Sequence, residues 1–372
     1  MVKALGIVNF SGNNIWVNGM QDYRPIGAFS FLGRYRVIDF PISNMTNSGI
    51  DRIQVYIRSK PRSIVEHVGT GRHYNINSKK GKLHLLFSDS PSENNDIYNT
   101  DIAAYLNNME CIEAEDAEYV VIAPSYMVYS MDYAELIRKH IQTEADITLL
   151  YHIGDKAEEL YHNCNILNLN RQHGVLNIEH NRGNAKNKNI FMDTYVLKKD
   201  LFIKLIKKAK KISSMFTLAD IVHAECENLD IRGVEHKGYF AAITGFKNYF
   251  DANLALIEYP EVSSLFKEDW PIYTRTNDSS PTQYFEEASV KKSVVSNGCL
   301  IEGTIENSVI GRGCKIKAGA VIKNSIILPG TLIGENVHLE NVVVDKHTKI
   351  IHENKLISTP ENPGYIKRKD VL

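Results

Sequence analysis

The chain has 372 residues, 43 Lys and Arg against 44 Asp and Glu, and 43% hydrophobic residues. That length accommodates two domains with a large core, and the near-zero net charge excludes a broad basic footprint for nucleic acid. No apolar run reaches membrane-spanning length and the N-terminus carries no signal-peptide pattern. Five scattered cysteines (Cys111, Cys164, Cys226, Cys299 and Cys314), none in a CxxC spacing, read as free thiols in a reducing compartment, so a cytoplasmic protein is expected.

Ala4 to Val8 is an apolar run of the kind that opens a parallel sheet. A nucleotide-binding protein needs a Gly-rich turn next, because only glycine lets backbone N–H groups approach phosphates closely. Here the turn reads Asn9-Phe10-Ser11-Gly12-Asn13-Asn14-Ile15, with a single glycine. Arg24, Arg34 and Arg36 then cluster around a turn at Gly33. A short buried element, Val37 to Ile42, follows, and Ser43-Asn44 is expected to open a capped helix ending at Gly49. Arg52 to Arg58 alternates like a strand. Ser63 to Gly69 reads as a helix with a Ser63/Glu66 capping box. Arg58, Lys60 and Arg62 lie between them and, with Arg24, Arg34 and Arg36, form the candidate anion-binding set; the alternative is solvated surface charge.

Further strands are expected at Lys82 to Asp89, Tyr119 to Ala123, Asp146 to His152 and Ile190 to Leu197. A hairpin is expected from Asn165–Leu169 to Val175–Ile178. Ser90 to Asn95 reads as a loop. Helices are expected at Tyr98 to Glu110, from an Asp132 cap to Gln142, at Lys199 to Ile212 and at Met215 to Glu227. Residues 258–287 have linker composition. From Val290, aliphatic residues recur about every six positions, at Ile310, Ile316, Ile322, Ile327, Ile333, Leu339, Val344 and Ile350. This is the hexapeptide pattern of a left-handed parallel β-helix. The expected organisation is 1–257, a linker at 258–287 and a β-helix at 288–372.

The stretch Gly33 to Ile50, GRYRVIDFPISNMTNSGI, resembles the sugar-nucleotide pyrophosphorylases, and among them the glucose-1-phosphate adenylyltransferases. Met131-Asp132-Tyr133, Leu218 to Val222, Tyr249, Ala252, Asn253 and Pro271 to Thr274 extend the resemblance over essentially the whole chain. It implies a Rossmann-like, GT-A-like α/β nucleotidyltransferase domain ahead of the β-helix. It also implies a reaction in which Mg²⁺, held by two aspartates, assists attack of glucose 1-phosphate on ATP.

The departures fall on the ligand-binding positions of that family. Phe10 and Ser11 stand where its paired glycines lie, Ile26 where its lysine lies, and Tyr126 and Ala242 where its metal aspartates lie. Thr100 to Ala104 departs from the segment that covers the nucleoside, and Glu179-His180-Asn181 replaces the Glu-Lys-Pro that grips the sugar phosphate. A phenol and a methyl group cannot replace hard anionic ligands for Mg²⁺. The chain is similar to the non-catalytic, regulatory glycogen biosynthesis proteins of the GlgD type. That implies no cofactor on this chain, with Mg²⁺ and ATP used by a catalytic partner subunit in a hetero-oligomer, expected to be a tetramer, and an anionic effector on the arginine cluster. Two alternatives remain: a weakly active adenylyltransferase with a displaced metal ligand, Asp101 or Asp220, and a hexapeptide acyltransferase using His338 or His347.

Overall fold

The computed structural model describes residues 3–372 except 13, 78, 80, 88–97 and 185. The loop expected at Ser90 to Asn95 and the end of the strand expected to reach Asp89 lie outside the described residues. The N-terminal domain is built on a nine-stranded mixed sheet: β1 (Ala4–Asn9), β2 (Arg52–Ile57), β3 (Lys82–Phe87), β4 (Tyr119–Pro124), β5 (Ile147–Gly154), β6 (Asn165–Leu169), β7 (Val175–His180), β8 (Lys188–Lys198) and β9 (Ile231–Glu235). Its order is β7-β6-β8-β4-β1-β2-β3, with β5 joining the long β8 to β9. Strands β4, β1, β2 and β3 run parallel, and β8 turns antiparallel against β4. The all-apolar β4 is buried along its whole length, as a central parallel strand requires. One core cluster fills each face of the sheet.

The helix expected over Tyr98 to Glu110 is two, Asp101–Asn107 and Met109–Glu113, that expected from Met215 starts at Leu218, and two further helix starts differ in their caps. The first helix is Asp39–Asn47, not one opened by Ser43, because Pro41 sits in the first turn, where no N–H is needed. Ser43 lies inside it, its hydroxyl taking the Tyr273 N–H at 2.9 Å. The second is Arg62–Val68, entered through Pro61 with no side-chain cap; Glu66 pairs with Arg62 instead of closing a box with Ser63. The Asp132 cap is present, its carboxylate accepting from Ala134 and Glu135 at 2.8 and 3.2 Å.

The C-terminal domain is a three-faced prism of parallel strands, five to a face, the left-handed β-helix of hexapeptide proteins. Ile301, Ile305, Ile310, Ile316, Ile322, Ile327, Ile333, Leu339, Val344 and Ile350 form its dry interior. Its first coil strand, Gln283–Tyr284, pairs with Leu300–Ile301, and the helix Tyr259–Leu265 precedes it. Both elements lie inside the stretch read as linker, whose polar composition hides short two-residue strands. The two domains are packed together: Val309, Ile326, Leu328 and Val343, on the β-helix, belong to the N-terminal core cluster. Gly33 sits at φ 66° against this seam, where a Cβ would meet the Ile310 carbonyl at 2.7 Å, so the contact requires glycine.

Candidate functional site

A cleft of about 580 Å³ opens beyond the C-terminal ends of β1 and β4, at Asn9 and Pro124, where open α/β sheets place their ligands. Phe10 stands half-buried in its wall and also lines a second cavity of about 250 Å³ that includes Ser11, Arg58 and Lys60. Phe10 thus borders both spaces, as does Ile15. Ile26 is buried in the core.

The two positions expected to hold metal do come together. Met127–Tyr129 pairs with Phe240–Ala242, and Ile243 N donates to the Tyr126 carbonyl at 2.9 Å. Ala242 contributes only a buried methyl. The Tyr126 hydroxyl donates to Asp193 Oδ2. Burial pushes that phenol well above its ordinary range, so it stays a neutral donor.

Neither acid considered as a displaced metal ligand is free. Asp101 accepts from Ile102 N at 2.8 Å, Leu218 N at 3.0 Å and Asn9 Nδ2 at 3.2 Å. Asp220 closes the capping box of the helix Leu218–Ala224 with Thr217. No group of three or more His, Cys, Asp or Glu is placed to hold a metal among the described residues. The donor set does not fit the two-aspartate Mg²⁺ site that the resemblance implies. His180 lines the cleft, with its imidazole pushed down by burial and then by Arg182, so it offers no cation to a phosphate near neutral pH. Asn181 is structural, donating to the Ala157 and Tyr161 carbonyls at 2.8 Å each.

The six cations expected to form one pocket do not converge. Arg62 is exposed and pairs with Glu66. Lys60 donates to the Gln21 carbonyl at 2.9 Å and lies over Trp16. Arg58 stays with Lys60 beside the smaller cavity. Arg34 is exposed and lies over Tyr35. Arg24 and Arg36, by contrast, lie inward, Arg24 against the β-helix and Arg36 against its own domain. Arg24 is only 2% exposed and binds both oxygens of the buried Asp345, at 2.7 and 2.6 Å, while Tyr365 donates to the same carboxylate at 2.7 Å. Arg36 donates to the Ala28 carbonyl and the Ser30 hydroxyl at 2.7 and 3.1 Å; burial, then Arg24, pull its guanidinium down to about 10. Lys346 joins them, held well below the ordinary lysine range by burial and then by Arg36 and Arg24, with Arg368 also near. Sequence reading missed Asp345, Lys346 and Arg368, since no local pattern marks them. It also missed Asp193, although a lone acid inside the apolar run Ile190 to Leu197 is a signal.

The residues that match the resembled family hold the frame. Asn253 Oδ1 accepts from Leu32 N at 2.9 Å, Tyr249 donates to the Ser30 carbonyl at 2.6 Å, and Asn44 donates to the Tyr129 carbonyl at 2.9 Å. His338 and His347 sit on the outside of the β-helix, His338 half-buried beside Glu340 at 3.8 Å and His347 exposed. All five cysteines are free thiols.

An α/β sheet with its cleft at the strand ends, docked on a hexapeptide prism, defines a sugar-nucleotide type of nucleotidyltransferase architecture. Residues 23–257 match the nucleotidyl transferase family and residues 280–361 match the GlmU-like C-terminal hexapeptide family, so the chain belongs to the nucleotidyl transferases. Among curated relatives, the glucose-1-phosphate adenylyltransferase of Fervidobacterium nodosum is 29% identical over 94% of this chain and 84% of its own length. The glycogen biosynthesis protein GlgD of Bacillus subtilis is 27% identical over 98% of this chain and 96% of its own. No helix among the described residues is long and apolar enough to cross a membrane.

Proposed function

We propose that the chain is a regulatory, catalytically inactive subunit of glucose-1-phosphate adenylyltransferase in glycogen biosynthesis, assembling with a catalytic partner subunit and raising its activity. The observation that carries this reading is the cleft itself. The metal-aspartate positions hold Tyr126 and Ala242, and no Lys or Arg is among the described residues that line it. Transfer of an adenylyl group from ATP needs positive charge at the phosphates; losing one such electrostatic element typically lowers the rate by about 10²–10³. The frame residues Asn44, Tyr249 and Asn253 are kept while the chemistry is not, as expected of a subunit selected for assembly. Two states of the assembly, differing in contacts at the subunit interface, would let this chain bias its partner. The effector proposed for this chain is an anionic metabolite at the inter-domain seam, where Lys346 lies among Arg24, Arg36 and Arg368, with Asp345 beside it.

One observation favours the alternative of a weakly active adenylyltransferase: Asp193, whose buried Oδ1 has no partner, is among the residues lining the same cleft. The deciding assay is ADP-glucose synthesis from ATP and glucose 1-phosphate with Mg²⁺, run on the chain alone, on a catalytic subunit alone and on the co-expressed pair. Silence alone with enhancement in the pair is expected. Robust turnover by the chain alone would overturn the regulatory reading.

A further inference from the structure

Three strands of the N-terminal sheet, β7, β9 and β3, have a single strand neighbour each among the described residues. Two of these edges are closed. At β7 the pairing with β6 shifts register between Val175 and Asn177, and the Ile178 N–H donates to His223 Nδ1 at 3.1 Å. At β9 the Gly233 N–H donates to the His173 carbonyl at 2.8 Å. The third edge is open. β3 pairs with β2 through six consecutive positions without a bulge. The Lys82 N–H donates to the Asp51 carbonyl at 2.8 Å, which sets the alternation. The main chain of Lys82, His84 and Leu86 faces β2, and that of Leu83 and Leu85 faces away from the sheet. Asn108 closes only the far end, donating to the Phe87 carbonyl at 3.1 Å.

A free edge is a template for another strand, and proteins blunt such edges with bulges, charge or covering groups. Beside β3 lies a groove of about 580 Å³, lined by the loop 69–72, Ile76, Cys111 and the strand itself. Two of the four loop residues are glycines, and a Cβ on Gly69 would meet nothing within 4 Å, so the flank of the strand stays open. Leu83, Leu85 and Leu86 are half-buried, so an added strand would cover apolar surface as well as pair main chain. The described lining holds Arg72 and Lys82 and no Asp or Glu. Arg72, Lys82 and Lys79, which lies in the turn entering β3, are exposed and form no ion pair among the described residues. A second copy of this chain would bring the same cations to the edge, whereas an acidic segment brings their counter-charge. We infer that β3 accepts an extended, acidic segment of another protein as an added strand. Its main chain pairs with Leu83 and Leu85, and its carboxylates answer the charge of Arg72, Lys79 and Lys82. This holds whether or not the chain makes ADP-glucose, so the assay above and the one below fail separately.

The test is fluorescence polarisation of the full chain with a labelled seven-residue peptide of alternating glutamate and valine, and with its lysine–valine counterpart. Saturable binding of the acidic peptide is expected, and the basic peptide should bind at least about tenfold more weakly. Leu85→Pro removes the outward N–H and leaves the pairing with β2, since proline is tolerated where an edge N–H faces solvent; it should abolish binding. Leu85→Ala gives up the side chain and keeps the N–H, so its affinity should stay within about threefold of the parent. Arg72→Glu, on an exposed loop, should weaken the acidic peptide about tenfold and strengthen the basic one, and it carries the test should Leu85→Pro fail to fold. Sedimentation of the chain alone runs alongside. The inference is overturned by no saturable binding of the acidic peptide, by equal binding of the two peptides, or by equal losses in Leu85→Ala and Leu85→Pro. It is also overturned if the chain self-associates and Leu85→Pro makes it monomeric, since the occupant would then be a second copy.

Discussion

The cleft and the inter-domain seam are opposites in charge. The cleft is rimmed by carboxylates and contains no described Lys or Arg; at the seam, Arg24 pairs with Asp345, Arg36 lies near Asp39, and Lys346 lies among Arg24, Arg36 and Arg368. An enzyme that binds ATP and a sugar phosphate needs cations in the first place. This chain concentrates them in the second, between the N-terminal domain and the β-helix. The comparison teaches where the buried cations of this molecule lie: between its two domains, and not along the cleft at the strand ends.

The largest expected effect comes from unbalancing the seam. Asp345→Asn keeps the shape but leaves Arg24 buried beside Arg36 and Lys346 with no counter-charge. Breaking a buried ion pair from one side costs about 3–5 kcal/mol, so a large fall in melting temperature is expected. Arg24→Met, which removes a cation from an overcharged cluster, should cost less than Asp345→Asn. Equal losses from both would mean that the pair, not the charge balance, dominates.

The cleft is tested by pH. Burial raises the Asp101 and Asp193 carboxyls to about 6 from an ordinary value near 4. The folded protein therefore holds protons that the unfolded chain has released between about pH 4 and pH 6, and stability from these groups falls as pH rises through that window. Each contributes on the order of 2 kcal/mol. His236 acts in the opposite sense: burial lowers it to about 4, so stability is lost as pH falls from about 6.5 toward 4. A raw profile mixes the two. The difference between Asp193→Asn and the parent isolates one carboxyl: the variant should melt higher at pH 7, and the gap should close by pH 4. A gap independent of pH would remove Asp193 as a titrating group.

Much of this was legible in the sequence, and the limits are physical. The β-helix announces itself because one aliphatic side chain per face must point inward, and the period survives in Ile310, Ile316 and Ile322. The parallel strands are marked by unbroken apolar runs such as Tyr119 to Ala123. Tyr126 and Ala242 could be set against the resembled family's metal positions because both sit in ungapped matches. The arginine cluster was not, since its partition depends on Asp345, 321 residues from Arg24, and charge spacing along the chain carries no information about such a contact. Asp193, at φ 43° in a bulge of β8, was hidden because a bulge leaves no mark in an apolar run except the acid itself.

A smaller effect tests the frame that joins the two regions. Tyr249 lies in the seam cluster and donates to the Ser30 carbonyl at 2.6 Å, with its ring edge-on to Phe29 at 5.7 Å. Tyr249→Phe keeps the ring and removes the donor, so about 1 kcal/mol of stability should be lost. No loss would mean that packing alone positions the arginine-bearing loop.

The smallest expected effect is the sharpest test of where anions bind. Arg62 pairs with Glu66 one helical turn away, in full contact with solvent, and such pairs contribute little. Arg62→Ala should leave the melting temperature unchanged within error, and should also leave any stabilisation by added inorganic phosphate intact. Lys346→Ala acts on the other region. Its ammonium is pressed by Arg36 and Arg24, so removing it should raise the melting temperature without phosphate and abolish the increment that phosphate provides. If the phosphate increment instead survived Lys346→Ala and vanished with Arg62→Ala, the surface cations would be the anion site and the seam a purely structural ion cluster. The two variants, read together, separate a binding site from a counted charge.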